Sequence, residues 1–386
     1  MTASRPITGI NFSTGAPYSA NAFGDDATDD YSVIQTALNT CGLIHVPSGT
    51  YRLSQGLSIP SIDGAGIIGD GGGVINLNTS YSGTTFKATF TTGNILTVPQ
   101  GITHATLKGF CLDRTSTATS GYGLATNASN SDSILIDDVF SLHSVTGFFL
   151  GTVGFARISN CTAQSNSGHG FEITGQWSTS KCFAQSNGSY GFYVHGTNVN
   201  GSSVGQFNGL STHNNTSGGL WLDGSTNPVH AVRVSDSFFG GDGGPEIYDD
   251  SHSNEPNTYT NVYCEISRSN LIWILSPVSA SLVNCHAQNS SGGVGLYAQK
   301  PVFIHGGTYN GNHSWGIDTT STTVIVGAQV NNNGAGGAGG IVISRGQSGA
   351  VIGCQTDGNN SDNSIPATVY TAGVVRTVSG KSGETG

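Results

Sequence analysis

The sequence predicts an all-β protein, a single-stranded right-handed parallel β-helix (a solenoid) with a short N-terminal capping helix, and three observations carry that expectation. The first is an internal repeat. Asn160-Cys161-Thr162-Ala163-Gln164-Ser165-Asn166, closing on Gly170-Phe171-Glu172-Ile173, returns as Lys181-Cys182-Phe183-Ala184-Gln185-Ser186-Asn187, closing on Gly191-Phe192-Tyr193-Val194. A glycine followed by apolar, variable and apolar positions also ends segments starting at Gly123, Gly147, Gly219, Gly244, Gly293, Gly316 and Gly340, with one degenerate coil near Asn270. Repeats of this length mark stacked units. The second observation is the apolar period, which is two: Phe171/Ile173, Phe192/Val194, Leu220/Leu222 and Ile341/Ile343 each flank a variable residue, the pattern of a short half-buried strand. The third is composition. Glycine is abundant (58 residues) and charge sparse (9%), while apolar content stays ordinary (36%), so the chain is globular and neither collagenous nor disordered. A solenoid of roughly ten coils or more adds length without enlarging its core radius.

The elements follow in chain order. Residues 1–70 form an entry segment and cap: Asp29 or Asp30 caps a helix whose apolar stripe is Val33, Ile34, Ala37 and Leu38. Leu43-Ile44-His45-Val46 and Thr50-Tyr51-Arg52-Leu53 read as strands around a Pro47-Ser48-Gly49 turn, and this element covers the backbone groups that the first coil leaves unpaired. Residues 71–376 are the coils. Their Gly, Ser, Asn and Thr connections suit tight turns, and Asn166, Asn187 and Asn215 share one repeat position, as a stacked turn requires. Residues 377–386 are a flexible tail.

Within the cap, Gly24-Asp25-Asp26-Ala27-Thr28-Asp29-Asp30, Ile34-Gln35-Thr36-Ala37-Leu38, Val46-Pro47-Ser48-Gly49-Thr50-Tyr51 and Ile68-Gly69-Asp70-Gly71 together resemble the N-terminal signature of the pectate-lyase-like β-helix superfamily, in a branch that includes bacteriophage tailspike depolymerases. The resemblance implies the fold, a homotrimer, and a place on a virion tail or outside the cell. It leaves the chemistry open, because the superfamily holds hydrolases, lyases, epimerases, fructosyltransferases and plain binding proteins. Gly168-His169-Gly170 resembles a short polygalacturonase signature whose accompanying strings are absent, so it is set aside as accidental.

Composition also excludes partners. With 23 acidic against 13 basic residues the chain has no electrostatic footprint for nucleic acid. No apolar run approaches the roughly 20 residues of a membrane span, and the start lacks the layout of a signal peptide. The seven cysteines show no metal-type spacing; Cys161 and Cys182, and likewise Cys264 and Cys285, read as register positions in a column of small core residues.

Function then rests on outward side chains. The variable position of successive coils gives Ala125, Phe149, Glu172, Tyr193, Trp221, Glu246, Gly295, Asp318 and Val342; two residues on come Thr174, His195, Asp223, Tyr248 and Tyr297. Strands roughly 4.8 Å apart would gather Tyr193, His195, Trp221, Asp223, Glu246 and Tyr248 into one patch. Aromatic faces suit sugar rings and carboxylates supply acid and base groups. Asp223 and Glu246, offset by one rung and two residues, would stand about 8 Å apart, inside the roughly 6.5–9.5 Å of an inverting glycosidase. Side-chain reach leaves a retaining enzyme open. Glu246, between Pro245 and Ile247, is the expected acid; Glu172 is a third candidate carboxylate, and Tyr193, His195, Trp221, Tyr248 and Asp318 are expected to bind substrate. No cofactor is expected, calcium in the acidic stretch Gly240–Asn257 being the minor alternative. The leading class is a polysaccharide depolymerase, a glycoside hydrolase of a bacterial surface or exopolysaccharide. A polysaccharide lyase and a non-catalytic carbohydrate-binding fibre are the alternatives.

Overall fold

The computed structural model describes residues 4–72, 74–76, 80–81, 83–114, 117–126, 133–151, 156–196, 203–344, 347–361, 363–366, 369–372 and 375–377. They form a right-handed parallel β-helix whose coils fall into two compact units, residues 1–205 and 206–386.

The first unit opens with an antiparallel hairpin, Arg5–Ile10 against Pro17–Ala22, followed by the helix Tyr31–Cys41. That helix buries Ile34, Ala37, Leu38 and Cys41, while Val33 of the expected stripe is only half-buried. Asp30 occupies the N-cap position but its side chain does not cap. Its carboxylate instead accepts the Phe23 and Gly24 amides at 2.8 and 3.0 Å, tying the preceding strand to the helix start. Asp29 accepts the Tyr31 amide at 3.2 Å. The strands Leu43–Val46 and Gly49–Leu53 then enter parallel ladders with Ala65–Gly69 and Thr84–Ala88.

A regular coil of this unit runs Ala156–Ser159, Thr162–Gln164, Phe171–Ile173, and the next runs Trp177–Ser180, Phe183–Gln185, Tyr190–His195, paired in register strand for strand. Two corners per coil take left-handed backbone: Asn160 (φ 53°) and Ser165 (55°), then Lys181 (51°) and Ser186 (54°). Short polar side chains tolerate that region, which explains the Asn and Ser enrichment. Inside, Phe148, Phe171 and Phe192 stack with centroids 4.7 Å apart and planes within 5° and 8° of parallel. This spacing is the rung pitch itself, and each buried ring contributes roughly 1.5–3 kcal/mol. Beside them runs the expected asparagine column: the Asn166 amide Nδ2 donates to Asn187 Oδ1 at 2.9 Å and Asn187 Nδ2 to the Ala163 carbonyl at 3.1 Å.

In the second unit the short strands Gly218–Asp223, Ile247–Asp250, Ile272–Ile274, Leu296–Ala298, Ile317–Thr319 and Ile341–Ile343 stack in parallel. The coil near Asn270, expected to be degenerate, is regular. The ladder aligns Trp221, Tyr248, Trp273, Tyr297, Asp318 and Val342, so the sequence-based alignment slips by two residues at Glu246 and Gly295. The slip has a local cause: the glycine that opens the motif is replaced by Glu246 in one coil and Leu271 in the next, while Gly244 and Gly293 nearby offer false anchors. The same shift separates Cys264, which pairs with Ala287, from Cys285. Asn312, Asn333 and Asn359 build this unit's asparagine column. Thr377, assigned to the tail, closes the strand Val375–Thr377 against Gln355–Asp357; residues 378–386 lie outside the described set. Among the described residues no helix is long and apolar enough to cross a membrane.

Candidate active site

The outward column of the second unit is a row of four aromatic rings on successive rungs, Trp221, Tyr248, Trp273 and Tyr297, with Asp318 on the next rung. All are half-buried. Neighbouring centroids lie 6.1, 5.1 and 5.9 Å apart, with planes tilted by 34°, 57° and 68°. The contrast with the parallel phenylalanines inside is informative. Parallel rings at the rung pitch cover one another's faces, whereas tilted rings leave faces and edges open to a ligand.

Two residues beyond the first two rings, Asp223 pairs in register with Asp250. Adjacent rungs hold their backbones about 4.8 Å apart. Asp223 is 9% exposed and its Oδ1 accepts the Ser225 amide at 2.9 Å. Asp250 is half-buried, with Oδ1 3.3 Å from His252 Nε2. Burial, then the charges of Asp250 and Asp223, push the Tyr248 phenol up.

Glu246 does not share this face. It is 0% exposed, and its Oε1 accepts the Asp242 amide at 3.2 Å. Asp242 takes the place of a column asparagine: its Oδ1 accepts Asn215 N and Nδ2 at 2.6 and 3.0 Å, and its Oδ2 the Thr212 hydroxyl at 2.6 Å. Burial, followed by the charge of Asp242, holds the Glu246 carboxyl well above the usual carboxylate range. The raised pKa expected of Glu246 is therefore present, but inside the coil, because Glu246 replaces the motif glycine two residues before the outward position. Asp249, also in the stretch weighed for calcium, is buried and accepts the Tyr259 hydroxyl at 2.7 Å and Asn257 Nδ2 at 3.0 Å. No group of three or more His, Cys, Asp or Glu that could hold a metal ion occurs among the described residues.

The first unit carries its own outward cluster. Phe149, Glu172 and Tyr193 occupy successive rungs as expected, whereas Ala125 in the same column is fully covered. His195 Nε2 lies 3.3 Å from Glu172 Oε1. His169 stacks on Tyr193 at 4.5 Å, and Tyr193 on His195 at 4.9 Å. Burial pulls the His169 pKa down, favouring the neutral imidazole, and its Nδ1 is buried without a partner among the described residues.

Residues 18–220, more than half of the chain, match the family described as rhamnogalacturonase A/epimerase, pectate lyase-like. The chain belongs to that family. Among solved structures, this pectate lyase-like family member is similar to the A-module of mannuronan C-5 epimerase AlgE6 of Azotobacter vinelandii, with 14% identity, a TM-score of 0.66, and coverage of 94% of this chain and 98% of that one. It is also similar to the Dettilon tailspike protein (12% identity, TM-score 0.54, 90% of this chain and 66% of that one). Gene product 12 of bacteriophage phi29 is a third (13%, 0.54, 92% and 55%). At such identities these likenesses show the fold. No curated protein matches the sequence.

For this family member the structure therefore brings Trp221, Asp223, Tyr248 and Asp318 onto the outward face of the second unit, and Glu172, Tyr193 and His195 onto that of the first. The sequence reading missed Asp250 and Trp273. Their signal was present in the aromatic positions: aligning Trp221, Tyr248, Trp273 and Tyr297 instead of the glycines recovers both.

Proposed function

We propose that the protein is a polysaccharide depolymerase, a glycoside hydrolase of a bacterial surface or exopolysaccharide whose carboxylate pair is Asp223 and Asp250. The observation that carries this reading is the in-register placement of the two aspartates beside a tilted aromatic row. A rung pitch of about 4.8 Å matches the roughly 5–5.5 Å separation of a retaining glycosidase. Asp223, fixed by the Ser225 amide, is the nucleophile; Asp250, whose Oδ1 lies 3.3 Å from His252 Nε2, protonates the glycosidic oxygen and then activates water. The tailspike resemblance supports a homotrimer on a virion tail or outside the cell.

A second reading is favoured by the Glu172–His195 contact and the neutral imidazole of His169 in the first unit. Such groups can abstract a proton α to a carboxylate, the step that opens β-elimination of a uronate chain. Product chemistry separates the two. Incubation with purified capsular, O-antigen and exopolysaccharides that releases reducing ends without an unsaturated-uronate absorbance supports hydrolysis; appearance of that absorbance moves the chemistry to the histidine cluster. Binding without cleavage supports a fibre.

A further inference from the structure

The lower part of the aromatic row carries no catalytic pair, yet it has two features that packing alone does not explain. Asp318 is half-buried on the rung after Tyr297, and among the described residues neither a hydrogen-bond donor nor a cation meets its carboxylate. Two rungs away, Trp273 Nε1 is buried without an acceptor among the described residues. Desolvated polar groups left unpaired are costly, so a side chain that earns nothing in the free protein points to a ligand that pairs it. Tyr297 lies between them as a platform, turned 68° from the Trp273 ring, its hydroxyl held by Gln299 Nε2 at 3.1 Å.

The charge of this face narrows the ligand. Its two outward columns run Trp221, Tyr248, Trp273, Tyr297, Asp318, Val342 and Asp223, Asp250, Leu275, Gln299, Thr320, Ser344. They hold three carboxylates and no Lys or Arg; Lys300 follows only in the exposed turn after Gln299. A uronate chain laid along such a row would bring like charges together in a partly desolvated setting, which opposes binding. A protonated amine meets Asp318 with a charge-assisted hydrogen bond, and a neutral ring oxygen or carbonyl can accept from Trp273.

We infer that Trp273, Tyr297 and Asp318 form a subsite for an amino-sugar residue with a free, protonated amine. The inference rests on the reading that this face binds a glycan, and it adds the sugar's charge. Three oligomers of equal length serve as probes: glucosamine, N-acetylglucosamine and galacturonate, with tryptophan fluorescence and calorimetry as readouts at a pH where the amine is protonated. The wild-type protein binds the glucosamine oligomer roughly tenfold tighter than the acetylated one, and galacturonate most weakly. Asp318→Asn, nearly isosteric, removes the preference for the amine over the acetamide. Equal binding of the glucosamine and N-acetylglucosamine oligomers by the wild type overturns the inference without needing the variant; so does tightest binding of galacturonate, or a preference that survives in Asp318→Asn. Absence of binding by all three overturns the glycan-face reading as well.

Discussion

Removing the Asn333 side chain tests whether the polar column is structural support or incidental decoration. Asn333 is 2% exposed; its Nδ2 donates to the Tyr309 carbonyl at 2.8 Å and to Asn359 Oδ1 at 3.1 Å, while its Oδ1 accepts Asn312 N at 2.9 Å and Asn312 Nδ2 at 3.0 Å. Alanine deletes all four bonds. At about 1 kcal/mol net per bond the cost is about 4 kcal/mol, and stranded donors on Asn312 act in the same direction. Asn331→Ala is the matched control, because among the described residues the side-chain oxygen of that half-buried residue accepts only the Asp357 amide, at 2.8 Å, and its loss costs about 1 kcal/mol. Urea unfolding gives the global difference, and hydrogen exchange at the Asn312 amide gives the local one. Because each repeat leans mainly on its neighbours, the loss should concentrate in the coils around Asn333. If the two variants unfold within about 0.5 kcal/mol of each other, the additive reasoning of bond for bond is refuted.

Three further outcomes are expected. Asp223→Asn and Asp250→Asn each lower cleavage by roughly 10²–10⁴-fold while oligosaccharide binding persists; binding lost in parallel with cleavage would deny them a chemical role. Glu246→Gln changes the pH dependence of stability. The folded pKa of Glu246 is raised above its ordinary 4.5, so its contribution is fully present below that value and is lost as pH rises through the folded pKa. The variant should therefore flatten the fall in urea midpoint toward alkaline pH, and an unchanged slope would contradict the buried, neutral carboxyl. His195→Ala should leave a hydrolytic rate within about threefold of wild type, whereas a collapse comparable to that of Asp223→Asn would place proton transfer at the Glu172–His195 pair.

The fold was legible because its cause is periodic. A period-two apolar pattern repeated every coil can bury itself only against copies of itself, and the Phe148, Phe171, Phe192 stack and the Asn166, Asn187 column realise that pattern. The site was legible only where the repeat stayed regular. Glu172, Tyr193 and His195 fall where the alignment puts them, since Gly170 and Gly191 are true motif glycines. Glu246 was misplaced because an alignment anchored on glycine moves to Gly244 when the true position holds a carboxylate, and a shift of two preserves the inside/outside alternation that would have exposed the error. His169 was discounted for a different reason: a three-residue motif in a glycine-rich chain carries little information, and its packing on Tyr193 comes from the neighbouring coil.

The in-register ladder of the second unit also sets how its specificity can change. Each coil from Trp221 to Asp318 contributes one ring or one carboxylate to the outward row, at a pitch of about 4.8 Å, while the interior asks for an apolar pair of suitable volume and the asparagine that bonds to its neighbours. Inserting or deleting a whole coil would lengthen or shorten the row by one rung and leave every remaining neighbour in register. Ligand length can thus be adjusted in discrete steps, and ligand charge can be rewritten at positions such as Asp318 without repacking the core.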